Sequence, residues 1–428
     1  MSVAQSRLGE RLGLETLFRK LGPGVITGAA DDDPSGIATY SQAGAQTGFN
    51  LLWTVVLTWP LMVAVQSISA RIGRVTGRGL AGNFALVFPP SVVTTLVLLL
   101  FIANTINLGA DLAAMGAAVR LMLGWGSPHV YTFGFAVFSL LAVVFVPYHR
   151  YVGLLKWFTF SLLAYVGVVF TVKIDWQAVA VGALVPKFEL SGEALTLVVA
   201  IFGTTISPYL FFWQCSQEVE DEEADPEAGP LIDRPEQADH ELNRIGWETW
   251  AGMAVSNLIA FFIILTTAVT LHAAGKTDIQ SAEQAAEALR PIAGNAAFVL
   301  FSLGLIGTGL LAVPVLAGSV AYAVGEARGW RTGLERPLNE ARPFYLVIAL
   351  AIVVGIAVDF LGLDPIKALV WSAVVNGVIV VPIMAAMMVV ASRPKLMGEF
   401  VAARWQRVLG WAATAIMAAA AIAMFFLM

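Results

Sequence analysis

Thiols are nearly absent. One cysteine, Cys215, stands among 428 residues, which excludes an intramolecular disulfide and any multi-thiolate metal site. Histidine is almost as scarce. His129, His149, His240 and His272 all fall in loops or at the ends of apolar runs, which argues against a buried imidazole relay or a His-ligated transition-metal centre. Charge is the third shortage. Asp, Glu, Lys and Arg make up 13% of the chain, against about 25% in a soluble domain. No nucleophile–base pair and no cofactor motif is present, so enzymatic chemistry has no support and neither a bound cofactor nor a nucleic-acid partner is expected.

Apolar runs fill the space that charge leaves. Hydrophobic residues reach 58%, and many runs attain the roughly 18 residues that cross a bilayer as a helix. The chain reads as an all-α, multi-pass membrane protein, with the lipid bilayer as its surroundings. The first twenty residues are amphipathic, without an apolar core or small-residue cleavage site, so no signal peptide is expected. We read eleven spans within a single domain, 1–428, near 22–48, 51–70, 91–119, 131–147, 152–172, 195–216, 247–271, 296–324, 343–361, 366–391 and 408–427. With the N-terminus inside, only Arg120, Lys173, Lys187, Lys276, Arg290 and Lys367 of the 25 basic residues lie outside. The positive-inside rule therefore predicts an N-in, C-out chain in the plasma (inner) membrane. Nothing in the sequence sets the oligomeric state, and a monomer suffices.

The cytoplasmic stretch "SQEVEDEEADPEAGPLIDRPEQADHELNR", residues 216–244, joins spans six and seven. Its acidity and prolines predict a solvated linker; carboxylate density alone does not make it a cation sensor.

Two spans are interrupted. The first breaks at Asp33-Pro34-Ser35-Gly36, and the sixth around "FGTTISPYL", residues 202–210. Proline removes a backbone donor, so each break frees carbonyls that need new partners. These spans open two successive groups of five, about 22–172 and 195–391, with the span at 408–427 left over. Matched broken helices in two halves point to a 5+5 inverted-repeat transporter with its site at the breaks.

Asp31, Asp32 and Asp33 sit at the first break. A carboxylate at the bilayer centre costs about 2.5–3.5 kcal/mol on insertion scales, so it predicts function. Successive helical residues point about 100° apart, so the three cannot share one ligand. Asp33, beside Pro34, is the candidate ion ligand, with helix capping as its alternative role. Asp31 and Asp32 either line a wet path or only adjoin it. On span three, Asn104, Asn107 and Asp111 share a helical face, as a polar wall of the path or as interhelical glue. Ser372 and Asn376 share a face of span ten and offer the opposite wall. The small-residue run "GLIGTGLLAVPVLAGS" in span eight reads as a close-packing surface.

With these residues located, the chain resembles the Nramp family of divalent-metal transporters, most sharply in "GPGVITGAADDDPSGIATYSQAGAQTG". The family motif Asp-Pro-Gly-Asn, then Ala-Thr and Gln-Ala-Gly-Ala, falls on Asp33, Pro34, Ala38, Thr39, Gln42, Ala43, Gly44 and Ala45. The resemblance implies a LeuT-type fold and metal binding between the broken first and sixth helices. Departures from the family are informative. Its ligand Asn is Gly36 here. Its sixth-span Ala-Thr-Val-Met-Pro-His falls on Thr204 to Tyr209, so the thioether ligand becomes Ser207 and the histidine tied to proton transfer becomes Tyr209. Its third-span Asp-Leu-Ala-Glu falls on Asp111 to Ala114, losing the glutamate, and a tenth-span Gln falls on Ala373.

Thioether suits transition metals, whereas hydroxyl and carbonyl oxygens suit magnesium, calcium and manganese. The combination looks like the branch called Nramp-related magnesium transporters, which implies import of Mg2+ and Mn2+ without obligatory proton coupling. The expected ion site comprises Asp33, Gly36, the carbonyl of Thr204, the hydroxyls of Thr205 and Ser207, and Asn376. Asp31, Asp32, Asn104, Asn107, Asp111 and Tyr209 are expected along the permeation path. Three alternatives remain at this level: a proton-coupled Mn2+/Fe2+ carrier using other acids, an amino-acid transporter, and a metal sensor that transports nothing. An amino-acid carboxylate would want half-helix N-termini and no central acid, so Asp33 argues against the second.

Overall fold

Proline decides where the first and sixth spans stop. In the computed structural model, which describes residues 22–146, 160–187, 191–360, 362 and 364–427, helix α1 covers Pro23–Asp31 and α2 covers Pro34–Thr47. Pro34 has no N–H to continue α1 and biases Asp33 to extended backbone, φ −70° and ψ 170°, so one helix ends and another starts. The sixth span repeats this grammar. Helix α9, Gly192–Thr205, ends at Ile206, and α10, Pro208–Ala224, begins after Ser207 at φ −84° and ψ 138°. The expected pair of interrupted helices is present.

The remaining elements follow in the expected chain order. They are α3 (Leu52–Thr76), α4 (Leu80–Val87), α5 (Pro90–Leu123), α6 (Pro128–Phe145), α7 (Leu163–Val169) and α8 (Trp176–Leu184) in the first half. The second half continues with α11 (Ala238–Thr270), α12 (Ala297–Arg328), α13 (Arg342–Asp359), α14 (Pro365–Ala391) and α15 (Arg404–Leu427), with short helical turns between α11 and α12. Among the described residues, 8 helical stretches are long and apolar enough to cross a membrane. The other expected spans correspond to the half-helices α1 and α2, to α13, and to the part of 152–172 that is described. Length alone therefore does not fix a count of eleven. The first twenty residues, His149 and residues 152–159 lie outside the described residues.

Residues 216–244 differ from the expected solvated linker. Helix α10 runs on through Ala224 and α11 starts at Ala238. Arg74, from α3, binds Glu222 at 3.1 Å, Glu241 at 3.2 Å and the carbonyl of Gly229 at 2.7 Å. Arg244 binds Glu218 at 2.5 Å, and Glu241 and Glu248 at 3.0 Å. Glu218, Glu222 and Glu241 are spent on holding α3, α10 and α11 together, a use invisible in composition because Arg74 comes from far back in the chain.

Glycine sets the closest helix contacts. A methyl on Gly203 of α9 would collide with the Ala373 carbonyl and the Gly377 amide of α14, and one on Gly377 with the Val199 carbonyl. In α12, Gly309 and Gly318 sit against Met115 and Trp213, the close packing expected of that run. We expect Gly203→Ala to cost about 1–3 kcal/mol of stability through overpacking. Thermal unfolding in detergent measures this, and an unchanged midpoint would refute the contact.

Candidate functional site

Asp33 caps α2. Its Oδ1 accepts the Gly36 N–H at 2.8 Å and the Ser35 hydroxyl at 2.6 Å. A carboxylate at this place satisfies donors that every helix start leaves free. Its Oδ2 points elsewhere, accepting from Asn107 Nδ2 of α5 at 2.9 Å and, more loosely, from the Tyr209 hydroxyl at 3.4 Å. Capping and a central position thus coexist in one side chain, one oxygen for each. Among the described residues, no basic side chain is one of its hydrogen-bond partners.

The second break lies against the first through hydroxyls. Ser35 is 3.3 Å from the Thr204 hydroxyl, and Tyr40 is 2.9 Å from that of Thr205. Since Ser35 donates to Asp33 and Thr205 donates to the Ile201 carbonyl at 2.7 Å, the Thr204 and Tyr40 hydroxyls are the donors across the gap. Gly36 belongs to the same contact: a methyl there would lie 3.2 Å from the Thr204 hydroxyl. Tyr209 also donates to the Ala30 carbonyl at 3.1 Å, at the end of α1.

Several expected residues are brought together in a different role from the one expected. The Ser207 hydroxyl turns back on α9, 2.6 Å from the Gly203 carbonyl and 2.9 Å from that of Thr204. It covers the Thr204 carbonyl that was expected to face the ion. Thr205 is engaged by Tyr40 rather than Asp33. Asp31 and Asp32 turn to α11, where both accept from the one Ser256 hydroxyl, Asp32 at 3.2 Å. The face of α5 splits: Asn107 reaches Asp33, whereas Asn104 donates to the Leu316 carbonyl at 3.1 Å and to Ser319 at 2.7 Å on α12. Asn104 is interhelical glue. Asn107 continues to α14, accepting from Ser372 at 2.6 Å.

Two expected residues have nothing to bind. Both side-chain atoms of Asn376, and both carboxylate oxygens of Asp111, are buried with no hydrogen-bond partner among the described residues. A buried polar group without a partner costs about 1–3 kcal/mol, a cost that a water or an ion would relieve. The sequence reading missed Ser35, Tyr40 and Ser256. Ser35 was legible as a hydroxyl beside the acid, but Tyr40 and Ser256 gain their roles only from distant helices.

The junction is closed. Asp31, Asp32, Asp33, Ser35, Thr204, Thr205, Ser207 and Asn376 are at most 4% exposed among the described residues. A solvated ion enters this place only after helices part.

Comparison with known proteins places this geometry. The family model described as "Natural resistance-associated macrophage protein-like" (Nramp) matches residues 24–427. The Divalent metal cation transporter MntH of Klebsiella pneumoniae subsp. pneumoniae is 28% identical, over 92% of this chain and 91% of that protein. The protein of the same name from Acidiphilium cryptum is 27% identical, over 92% and 86%. The crystal structure of the Eremococcus coleocola manganese transporter, in complex with an aromatic bis-isothiourea substituted compound, superposes with a TM-score of 0.75. It has 16% identity and covers 96% of this chain and 86% of that one. Mhp1, a nucleobase-cation-symport-1 family transporter in a closed conformation, superposes at 0.57 with 13% identity. The fold is the LeuT-type arrangement these neighbours share. A family match running from α1 to α15, on a chain whose first and sixth spans break against each other at an acid, makes this protein a member of the Nramp family.

Proposed function

We propose that the protein imports a divalent cation, Mg2+ and also Mn2+, by alternating access and without obligatory proton coupling. One observation carries the reading: Asp33, 1% exposed, is a carboxylate inside an apolar bundle with no basic residue bonded to it among the described residues. Such a charge is costly unless a cation comes to it. The C-terminal ends of α1 and α9 both stop at the junction, and their negative dipole ends favour a positive guest. Relatives named as divalent metal cation transporters support the ion class.

Oxygen donors favour the hard ions. Asp33, Thr204 and Asn376 offer carboxylate, carbonyl and amide oxygen, which suit Mg2+ and Mn2+ better than softer metals. Ser207 must swing off the Thr204 carbonyl before that oxygen turns to an ion. With a negative interior, a dication gains about 4.6 kcal/mol per 100 mV, enough to drive import without protons. The motion is one half of the repeat rocking on the other, since the closed junction admits nothing by itself.

A second reading rests on a specific contact. Met115 Sδ and the Pro34 ring both lie where a side chain on Gly309 would have to go. A thioether therefore approaches the first break from α5, and a soft donor there favours Mn2+ over Mg2+, the ion choice of the proton-coupled alternative. Competitive uptake of Mg2+, Mn2+ and Ca2+ into proteoliposomes, with and without a pH gradient, separates the two. The expected result is Mg2+ uptake indifferent to the gradient, with Ser207→Met shifting preference toward Mn2+. Mn2+ uptake that acidifies the lumen and ignores Mg2+ would establish the second.

A further inference from the structure

We infer that Asn107 is an ion ligand in reserve, whose amide turns over when the ion arrives. It exchanges an N–H given to Asp33 for an oxygen given to the cation. The inference rests on the proposed ion site at Asp33 and adds a ligand from α5 that the sequence placed only along the path.

In the closed structure Asn107 is fully buried between two partners. Its Nδ2 donates to Asp33 Oδ2 at 2.9 Å, and its Oδ1 accepts from Ser372 at 2.6 Å. The Ser372 hydroxyl has a second acceptor, the Leu369 carbonyl at 2.7 Å. A hydroxyl has one proton and two lone pairs. Given to Asn107, that proton fixes the amide as it stands. Given to Leu369, it leaves a lone pair on Ser372 that accepts an N–H from the amide turned over. Ser372 therefore serves either orientation with the same number of hydrogen bonds.

Asp33 distinguishes them. With the site empty, turning the amide would set an amide oxygen against a carboxylate oxygen, so the N–H stays in. With a dication beside Asp33, the N–H is repelled and the oxygen attracted. Each orientation is stabilised by one state of the site, which makes the cation the switch. Distance agrees as well. Magnesium holds oxygens at about 2.0–2.1 Å in an octahedron, whose adjacent ligands are then about 2.8–3.0 Å apart. The 2.9 Å separating Asn107 Nδ2 from Asp33 Oδ2 matches that edge, so the turned amide needs no backbone shift to become a neighbouring ligand. Asn104, one turn away, cannot do this. Its Nδ2 is turned to the Leu316 carbonyl and Ser319 on α12, away from Asp33.

The test compares Asn107→Asp with Asn107→Leu in the purified full-length protein, by calorimetric titration with Mg2+ and with Mn2+. If Asn107 gives oxygen to the ion, Asn107→Leu weakens binding by roughly ten- to hundredfold. Asn107→Asp, which keeps an oxygen and adds charge, binds at least as tightly as the parent, and the ion raises its unfolding temperature more than the parent's. If Asn107 is only a donor to Asp33, its removal frees Oδ2 for the ion, Asn107→Leu binds no more weakly than the parent, and the inference falls. Should the aspartate variant not fold, Asn107→Ser against Asn107→Ala carries the same comparison. A ligating oxygen makes the serine variant the tighter binder. A mere donor competes with the ion for Asp33 and leaves serine no tighter than alanine. Asp33→Asn tests the underlying site: unchanged ion binding there refutes the site itself, whereas its loss alongside an Asn107→Leu variant that binds like the parent refutes only the turning amide.

Discussion

Asp33→Ala is expected to abolish divalent-ion uptake into proteoliposomes, and Asp33→Asn to do so with less damage to the fold. The two substitutions separate the jobs of the side chain. Asn retains an oxygen to accept the Gly36 N–H, as Asp33 Oδ1 does at 2.8 Å, so the cap of α2 survives. Ala loses it, at about 1 kcal/mol for an exchanged N-cap. Both remove the charge. A carboxylate attracts a dication 4 Å away by about 8 kcal/mol at an effective dielectric of 20, twice the figure for two unit charges. Even after desolvation takes a large share, little binding should remain. Uptake and thermal unfolding measured on the same preparations decide the matter. If Asp33→Asn transports like the parent, the acid is a cap and nothing more.

Arg244→Ala is expected to have the largest effect on stability. Its guanidinium meets Glu218 at 2.5 Å, and the Glu218 side chain is 0% exposed. Removing one partner of a buried pair leaves a charge with no solvent and no counterion, at a cost of about 3–5 kcal/mol. The damage spreads to α1, because Glu248, held by Arg244 at 3.0 Å, packs where a side chain on Gly22 would stand. The lone thiol gives a direct readout. Cys215 on α10 is 0% exposed and approaches the Arg78 carbonyl at 3.7 Å. In Arg244→Ala it should react with an alkylating reagent much faster than in the parent, under conditions where the parent remains folded. The double variant Arg244→Ala, Glu218→Gln should regain much of the loss, since the abandoned charge is gone. Unchanged alkylation in the single variant would mean that these ions do not hold the end of the bundle closed.

Both experiments act on residues that were unequally legible. The acid at the first break stood out because nothing in an apolar run excuses it, and Pro34 and Pro208 announced both interruptions by what a proline cannot do. The spans followed from length and hydropathy. The resemblance to the Nramp family supplied the correspondence of the sixth helix, and the family match over 24–427 shows the family. Less visible was the fate of each hydroxyl. Ser207 and Thr205 looked like ion ligands, yet one folds back onto α9 and the other is held by Tyr40. Asn104 and Asn107 are indistinguishable by helical spacing, yet they bind different helices. The acidic run at 216–244 gave no sign that Arg74, far back in the chain, would claim four of its polar groups.

By itself the sequence determined that the chain is membrane-spanning and helical, that two spans are broken, and that one break carries acids. Those are consequences of local chemistry: apolar length, a missing amide donor, a charge in the wrong solvent. Only the tertiary structure decided which oxygen of Asp33 is spent on the helix and which meets α5, and which polar groups keep no partner at all. A hydrogen bond is settled within about 3 Å, and the helices that meet at this junction come from positions as far apart in the chain as Asp33, Asn107, Tyr209 and Ser372.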